Sequence, residues 1–409
     1  MPEFFKVTDL ARVLENAALF PPVGTETVLL AESCGRVLAE NIAADRNLPE
    51  FPRATMDGYA VRAAATFGAS EGNPAYLNVK GSVSMGKPPV FSIGHGEACR
   101  ISTGGMLPEG TDSVVMIEHA ETLDDTTIEV YRSVAPGQHI LESGEDFRRG
   151  QIILEAGQHL RPQETGLLAA FGLQSVRVFK RPRIAIISTG DEVVASDRTP
   201  APGQIRDINS YSLSGQVQEA GGLPVRCGIV RDDYAVLLAT CREALAGSDM
   251  LLISGGSSVG IRDFTIDVLT RLPDSRILVH GISISPGKPT ILANTQDKAV
   301  WGLPGHVVSA MVVFKVVVQP FIAHLAGLSR AQRHVFRIPA RLSRNIGSAQ
   351  GRTDFIRVRL TLANGEYRAE PILGSSGLLN TMVMADGLIE IDVNTEGLDA
   401  GAEVAVIPL

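Results

Sequence analysis

A glycine-rich loop follows a short apolar segment in the middle of the chain. The segment, 250–253, is an uninterrupted Met-Leu-Leu-Ile, which is typical of a strand buried on both faces. Gly255, Gly256 and Gly260 follow it. Backbone without Cβ atoms can turn several N–H groups toward one point, where they would bind phosphate or another oxyanion. The alternative is an ordinary strand-to-helix turn, because glycine-rich turns of this kind are common.

Carboxylates follow the predicted strands of the same region. Glu192 belongs to the loop 188–192 after one strand, Asp232 and Asp233 follow another, and Asp263 comes after the glycine-rich loop. Because the carboxyl ends of parallel strands meet at one edge of a sheet, we expect these side chains to converge there. Carboxylate oxygens suit Mg²⁺, which would lie between them and substrate phosphates. The alternative for each carboxylate is a helix cap.

A lysine and a histidine occupy two further loops that contain proline and glycine. Lys288 lies in the turn 285–289, where its ammonium group would meet an oxyanion or, in the alternative, only solvent. His306 follows Pro304 and Gly305 at the start of an apolar helix. Free N–H groups at a helix start favour an anion, so His306 is either part of an anion site or a simple helix-start residue.

The elements that must position these loops alternate between strand and helix. Residues 184–188, 224–230, 250–253, 277–282 and 300–303 are predicted strands, and helical patterns lie between most of them. This order predicts a mostly parallel sheet with helices on both faces. From residue 55 in the N-terminal half, and again after residue 335, short alternating runs separated by glycine and proline predict β-rich regions.

Composition excludes several classes of function. A formal net charge of -8 over 409 residues argues against a general nucleic-acid or anionic-membrane surface, so the expected partners are small molecules or proteins. The four cysteines are scattered without a C-x-x-C spacing, which indicates neither a zinc site nor a disulfide framework and fits a reducing cytosol. Lys315, Gln319, Pro320 and His324 interrupt the apolar segment 307–328, so we interpret it as a buried helix rather than a membrane span.

Ten short motifs, taken together and in order, resemble the molybdopterin molybdenumtransferase family, which includes bacterial MoeA and the E domain of gephyrin. They are GRVLAE at 35–40, MDGYAV at 56–61, TG at 103–104 with PEG at 108–110, GED at 144–146, PRIAIISTGDEVV at 182–194, VRDD at 230–233, SGGSSVGIRDFT at 254–265, PGKP at 286–289, GLPG at 302–305 and ADGL at 385–388. No single motif decides the resemblance, but together they run almost from end to end.

The resemblance implies a multidomain α/β plus β fold in four domains. Residues 1–54 with 137–180 would form an elongated linking and dimerisation domain, and 55–136 an inserted β-rich domain. Residues 181–328 would form a three-layer α/β/α domain like MogA and MoaB, with a mostly parallel sheet. Residues 329–409 would form a small C-terminal β-barrel domain.

The resemblance also implies a transferase of molybdenum cofactor biosynthesis. Such an enzyme cleaves adenylylated molybdopterin at its pyrophosphate, releases AMP and inserts molybdate into the dithiolene, with Mg²⁺ or another divalent cation. The expected protein is a cytoplasmic homodimer that takes its substrate from a MogA-like adenylyltransferase and binds neither nucleic acid nor membrane. Its site would lie between the α/β domain of one subunit and the β-rich domain of the other.

The family pattern assigns roles to sixteen positions of this chain. The expected catalytic residues are Asp57, Asp146, Asp232 and Lys288. The expected substrate-binding residues are Thr103, Gly104, Gly190, Gly255, Gly256, Ser257, Gly260, Pro304, Gly305 and His306. The expected metal ligands are Glu192 and Asp263.

Three positions depart from the family pattern. The pair 306–307 is His-Val where the family usually has Asn-Pro, and Ser285 stands where a basic residue usually precedes PGKP. Less positive charge weakens a pocket for a dianion. Two alternatives therefore stay open. One is a diverged paralogue that binds or hydrolyses another adenylylated or pyrophosphate compound, and the other is a non-catalytic dimeric scaffold.

Overall fold

The computed structural model describes residues 7–255, 264–332 and 336–409, which fall into two compact units. The larger unit comprises the described residues of Met1–Glu40, Ala156–Gly166 and Gln174–Leu409. The smaller unit comprises Asn41–Glu155 and Leu167–Leu173. The predicted four-domain boundaries stay a prediction.

A six-stranded sheet forms the centre of the larger unit. In chain order its strands are β1 (Arg183–Thr189), β2 (Leu223–Val230), β3 (Met250–Ser254), β4 (Arg276–His280), β5 (Ile291–Thr295) and β6 (Lys298–Leu303). The spatial order is β2-β1-β3-β6-β5-β4, and only β5 runs antiparallel to its neighbours. The mostly parallel sheet predicted from the sequence is therefore confirmed.

Helices cover both faces of this sheet. They are α1 (Asn209–Glu219), α2 (Tyr234–Ala246), α3 (Phe264–Arg271) and α4 (Val307–Val313), the last of which continues through a π-helical turn, Phe314–Val318, into the helix Gln319–Leu325. Alternate residues of β1 enter two different cores, because successive side chains of a strand point to opposite faces. Ile184 and Ile186 pack with α1 and with the long helix that begins at Val307, whereas Ala185 and Ile187 pack with α2 and α3.

The apolar helix after β6 is a core helix. Among the described residues, Val307–Leu325 is the one helix long and apolar enough to cross a membrane. Within its most apolar stretch of 18 residues, 61% of the residues are buried inside the protein. Trp301 of β6 packs edge-on against Phe321, with 5.0 Å between the ring centroids. The helix therefore fills the space beside the sheet, as predicted.

A closed β-barrel forms the C-terminal part of the larger unit. Its strands are β7 (Ile338–Leu342), β8 (Thr353–Ala363), β9 (Glu366–Pro371), β10 (Gly387–Ile391) and β11 (Glu403–Pro408). They pair in the order β8-β9-β7-β11-β10, and β10 closes the circle on β8. The short strand Ile284–Ser285, which precedes the turn with Lys288, pairs with the start of β8. The predicted C-terminal barrel is therefore confirmed.

The other elements of the larger unit are short. At the N-terminal side, helix Leu10–Glu15 runs into the 3₁₀ turn Asn16–Leu19, and strand Thr25–Leu29 pairs with Ser175–Phe179. The remaining elements are the 3₁₀ turns Leu30–Glu32 and Arg330–Gln332, the helix Asn380–Val383 and the paired strands Val193–Val194 with Ile205–Arg206 and Ile346–Gly347 with Gly397–Leu398. Helix Pro162–Ala170 belongs partly to each unit.

The smaller unit is built on a second six-stranded sheet, which confirms the predicted β-rich N-terminal half. In spatial order its strands are Ser113–Met116, Gly58–Val61, Glu97–Ile101, Ala75–Ser82, Thr127–Val130 and Ala120–Thr122. The pairs Arg53–Ala54 with Ile140–Leu141 and Ile42–Ala43 with Ile152–Leu154 add two short ladders, and Ala63–Thr66 and Ile117–His119 are 3₁₀ turns. Apolar clusters pack on both faces of the sheet.

Candidate active site

A cavity of about 920 Å³ in the larger unit is lined by the carboxyl edge of the central sheet and by the β-barrel. Six of the residues predicted from the sequence line it, namely Glu192, Gly255, Lys288, Pro304, Gly305 and His306. Gly190 and Asp232 lie in the adjoining loops after β1 and β2. The structure therefore brings together side chains that are more than 100 residues apart in the chain.

Glycines allow the loops at this edge to pack closely, and the requirement is strictest at Gly255. Gly255 has a φ of +123°, and a Cβ atom there would lie 2.3 Å from the carbonyl oxygen of Thr189. Gly190 has a φ of +137°, and a Cβ atom there would lie 2.7 Å from Oε2 of Glu192. A Cβ atom on Gly305 would lie 3.5 Å from Cα of Gly255. The loops after β1, β3 and β6 therefore meet through bare backbone.

Asn209, at the start of α1, ties two of these loops together. Its Nδ2 group donates to Oγ of Ser254 (2.6 Å) and to the carbonyl oxygen of Gly305 (2.8 Å). Asn209 Oδ1 and Thr189 Oγ1 are buried and have no hydrogen-bond partner among the described residues. Unpaired atoms of this kind are uncommon, because most buried polar atoms in folded proteins have a partner. The sequence interpretation missed both residues.

The carboxylates of Asp191 and Glu192 in the loop after β1 lie close to that of Asp232 in the loop after β2. The backbone N–H of Asp232 donates to Oδ1 of Asp191 over 3.4 Å. Partial burial, together with the negative charges of Asp191 and Glu192, raises the pKa of Asp232 above the usual range for an aspartate. Asp233 differs, because its side chain accepts from the backbone N–H of Val236 (3.0 Å) and caps α2. The helix-cap alternative therefore holds for Asp233.

Positive charge comes from both walls of the cavity. Lys288 lies on the sheet side, and Arg352 and Arg357 of the barrel lie opposite in the lining. Arg352 pairs with Asp354 through a 2.8 Å contact between its Nε and Oδ1. Arg357 is buried and has no carboxylate partner among the described ion pairs. The sequence interpretation missed both arginines, because it assigned no chemistry to the barrel.

The smaller unit carries its own group of predicted residues. Oδ1 of Asp57 accepts from the backbone N–H of Thr103 (2.7 Å), and this bond and the Thr103 hydroxyl lower the pKa of Asp57. Gly104 follows with a φ of +84° and donates its N–H to the carbonyl oxygen of Ala54. Asp146 is exposed in a turn of the same unit. Asp57 is therefore held ionised beside Thr103.

Four of the predicted residues lie outside the described part of the chain. They are Gly256, Ser257, Gly260 and Asp263. Among the described residues, no group of three or more His, Cys, Asp or Glu side chains is arranged to hold a metal ion. The predicted metal pair of Glu192 and Asp263 stays a prediction.

Three family models match the chain in sequence order. The MoeA N-terminal region, comprising domains I and II, matches residues 7–172. A probable molybdopterin-binding domain matches residues 185–324, which include the central sheet. The MoeA C-terminal region, domain IV, matches residues 339–409, which form the barrel.

Similar proteins match along nearly the full chain. A molybdopterin molybdenumtransferase of Bacillus subtilis is 33% identical and one of Nostoc sp. is 32% identical, over 94% and 98% of this chain and 89% and 93% of theirs. A putative molybdopterin biosynthesis protein of Methanocaldococcus jannaschii is 36% identical over 92% of this chain and 90% of its own.

Solved structures agree with these relatives. A molybdopterin biosynthesis MoeA protein from Pyrococcus horikoshii has a TM-score of 0.85 at 31% identity, over 99% of this chain and 100% of that chain. A second structure from the same organism has a TM-score of 0.79 at 38% identity, over 98% and 99% of the two chains. The predicted fold class and the predicted place in molybdenum cofactor biosynthesis are confirmed. This chain belongs to the molybdopterin molybdenumtransferase family, the MoeA proteins.

Proposed function

We propose that this protein inserts molybdenum into adenylylated molybdopterin, cleaves the pyrophosphate link and releases AMP. The observation that carries the proposal is the cavity of about 920 Å³, because it combines bare glycine backbone, lysine and arginine side chains and nearby carboxylates. Phosphoryl transfer depends mainly on positioning and on stabilising negative charge, and these are the groups that do both. Family membership adds the substrate class to this chemistry.

The two walls of the cavity would bind different parts of the substrate. Backbone N–H groups of the loops with Gly190, Gly255 and Gly305 would bind phosphate oxygens. The oxygens of Asn209 and Thr189, which lack a partner among the described residues, would accept hydrogen bonds from hydroxyl or amino groups of the ligand. Together these contacts would hold the pyrophosphate in a fixed position.

Lys288 and Asp232 would handle the charge and the proton of the reaction. The ammonium group of Lys288 would stabilise the phosphate oxygens that gain negative charge when the pyrophosphate bond breaks. Asp232 holds a proton more tightly than an ordinary aspartate, because its pKa is raised by burial and by two neighbouring carboxylates. A carboxylate of this kind is suited to accept the proton of an attacking water.

The carboxylates near the cavity have the chemistry of ligands for a hard divalent cation, although those of the described residues do not form a complete metal site. The carboxylates of Asp191, Glu192 and Asp232 supply only oxygen ligands, which Mg²⁺ prefers. Burial and the repulsion from Asp191 and Glu192 raise the pKa of Asp232, and a bound cation would offset that repulsion. We propose Glu192 and Asp263 as the ligands. Mg²⁺ bound there would neutralise phosphate charge and polarise the phosphoryl oxygens.

We further propose a cytoplasmic homodimer in which the smaller unit of one subunit completes the site of the other. The support is the family pattern, which assigns site roles to residues of the smaller unit as well as to residues of the cavity. The residues of the smaller unit are Asp57, Thr103, Gly104 and Asp146. A MogA-like adenylyltransferase is the expected source of the adenylylated substrate, and molybdate is the second substrate.

A turnover assay tests the proposed function. Purified protein incubated with adenylylated molybdopterin, molybdate and Mg²⁺ is expected to release AMP and to form molybdenum cofactor in equal amounts. Absence of AMP with any divalent metal would contradict the proposal. AMP release that does not depend on molybdate would favour the alternative of a diverged hydrolase, for which the uncharged Ser285 in the cavity lining is the supporting observation.

A further inference from the structure

Among the described residues of the cavity lining, three have large apolar side chains that the protein leaves exposed. They are Ile205 (56% exposed), Ile208 (40%) and Leu373 (61%). Other apolar residues of the lining, such as Ile284 and Phe355, are buried in the core and already have apolar neighbours. The three exposed side chains therefore present apolar surface that a ligand in the cavity can cover.

The position of these residues decides what their exposure indicates, because single exposed apolar residues are common on protein surfaces. Ile205 and Ile208 belong to the segment that leads into α1, and both line the same cavity. Leu373 follows β9 on the barrel wall of that cavity. Apolar surface inside a concave site, beside a few charged groups, is typical of a pocket for an organic ligand rather than for a bare ion.

Backbone hydrogen bonds hold Ile205 beside the loop after β1. The N–H of Ile205 donates to the carbonyl oxygen of Glu192 over 2.8 Å, and the N–H of Asp207 donates to that of Val194, also over 2.8 Å. These bonds belong to the short parallel ladder in which Val193 is the partner of Ile205. The backbone of Ile205 is therefore fixed next to that of Glu192, one of the two proposed metal ligands.

Asp207 anchors the same segment from its buried side. Its Oδ1 accepts hydrogen bonds from Oγ of Ser188 (2.9 Å) and from the backbone N–H of Ser210 (3.1 Å), and all three residues are buried. Ile205 and Ile208 lie on either side of this anchor in the chain. Because the backbone is held before a ligand binds, little conformational entropy is lost when the two side chains are covered.

We infer that Ile205 and Ile208, with Leu373 on the barrel wall, bind a planar heteroaromatic ring of the ligand. The ring is either the adenine or the pterin of adenylylated molybdopterin, and rings of this kind are bound between apolar side chains that cover their flat faces. The inference rests on the proposed function, because it concerns the same cavity. It adds that contacts to a ring, and not only contacts to phosphate, hold the substrate there.

Equilibrium binding of matched ligands tests the ring contacts without turnover. AMP and ribose 5-phosphate differ by the adenine ring, and hydroxymethylpterin supplies the pterin ring without a phosphate. Isothermal titration calorimetry measures each ligand on full-length wild type, Ile205→Ala, Ile208→Ala and Leu373→Ala. The matched control is Val236→Ala, which truncates a β-branched side chain that is 51% exposed on α2 and lies outside the cavity lining. Thermal melting reports whether each variant is folded, and all four altered side chains are exposed.

The outcomes separate the two possible rings. If the ring is adenine, wild type should bind AMP more tightly than ribose 5-phosphate, and each isoleucine variant should weaken AMP binding by about 10-fold without changing ribose 5-phosphate binding. This factor is the lower end of the roughly 10- to 200-fold effect of one methylene group in an apolar pocket. If the ring is pterin, the same variants should weaken hydroxymethylpterin binding and leave AMP binding unchanged. Leu373→Ala should weaken the same ring ligand, and Val236→Ala should match wild type.

Two results would overturn the inference. One is unchanged affinity for both ring ligands in the folded isoleucine variants. The other is a wild-type protein that binds AMP no more tightly than ribose 5-phosphate and does not bind hydroxymethylpterin. Either result would leave the proposed function intact if the turnover assay still releases AMP. Conversely, ring binding that depends on Ile205 and Ile208, in a protein that releases no AMP, would sustain the inference and contradict only the proposed function.

Discussion

Asp232 and Asp233 are neighbours in sequence with different surroundings. Asp233 accepts a hydrogen bond from the N–H of Val236 and caps α2. Asp232 faces the negative charges of Asp191 and Glu192, and its pKa is raised. Sequence alone treats the two as one acidic pair, because both follow β2 and both are suited to a cap or a ligand. The side-chain geometry separates a helix-capping carboxylate from one whose pKa is raised by its surroundings.

Asp232→Asn is expected to stabilise the protein at neutral pH. A carboxyl group whose pKa is raised by the fold contributes stability below its unfolded pKa and loses that contribution as pH rises through the folded pKa. The neutral amide escapes the repulsion of Asp191 and Glu192, so the variant should melt at a slightly higher temperature than wild type at pH 7. The difference should shrink as pH falls toward the ordinary aspartate pKa of about 3.9. Calorimetric melting between pH 4 and 8 measures it, and a lower melting temperature at pH 7 would contradict the assignment.

Gly255→Ala is expected to destabilise the larger unit and to damage phosphate binding. The residue has a φ of +123°, and the new Cβ atom would lie 2.3 Å from the carbonyl oxygen of Thr189. Strain of this kind costs about 1–3 kcal/mol. Gly247→Ala is the control, because no atom lies within 4 Å of the added Cβ and its φ is -109°. Urea unfolding should show a loss only for Gly255→Ala, and equal stability of the two variants would refute this reason for the glycine.

The sequence predicted part of the candidate site and missed the barrel's share. Loops that follow predicted strands contain Glu192, Lys288 and His306. The carboxyl ends of parallel strands lie at one edge of a sheet, so the sequence predicts that these side chains converge. Arg357 and Arg359 alternate with apolar residues on β8, and nothing in that pattern distinguishes them. Only the barrel's packing buries Arg357 against the cavity and leaves Arg359 exposed. Long-range packing of this kind has no local sequence signal.

At the scale of elements, the central sheet was predictable except for one hairpin. The strands β1 and β3 are continuous apolar runs, since both of their faces are covered by helices. The antiparallel β5 was not predicted. It is joined to β6 by Gln296 and Asp297, which adopt positive φ values of 50° and 59° without a glycine to signal the turn.

Asp233→Ala tests the cap of α2 as an element. Loss of the bond to the N–H of Val236 should destabilise the protein by about 0.5–2 kcal/mol, as for other N-cap residues. Specific activity at low temperature should stay near that of wild type, because the carboxylate is occupied by the helix. The comparison with Asp232→Asn is informative, since adjacent substitutions should change stability in opposite directions. A loss of activity without a loss of stability would contradict the cap assignment.

At the scale of the whole molecule, the shared-site proposal predicts complementation between inactive subunits. Asp57→Ala changes the smaller unit and Lys288→Met changes the larger one, and each homodimer should be inactive. A mixed dimer has two sites if each site is built across subunits. One site would then combine the two intact units, and the other would combine the two altered units. Mixed dimers purified with two different tags should therefore retain about half of wild-type activity, from one intact site of two.

A site built within a single chain gives the opposite result. Each subunit of the mixed dimer would then carry one alteration in its own site, and activity should be absent. A monomer in light-scattering measurements at working concentration would also contradict the shared site. The same mixed dimer with Arg359→Gln in place of Lys288→Met serves as a control, because Arg359 lies outside the cavity lining.

The most direct test of the central claim is a crystal structure of the protein soaked with tungstate and AMP, with tungsten located by its anomalous scattering. Tungstate reports where the tetrahedral oxyanion binds, and AMP reports the phosphate position. A tungsten peak is expected inside the cavity, within hydrogen-bonding distance of Lys288 or Arg357, with the AMP phosphate at the loop of Gly255. Tungsten bound outside the cavity, with neither ligand inside it, would contradict the account.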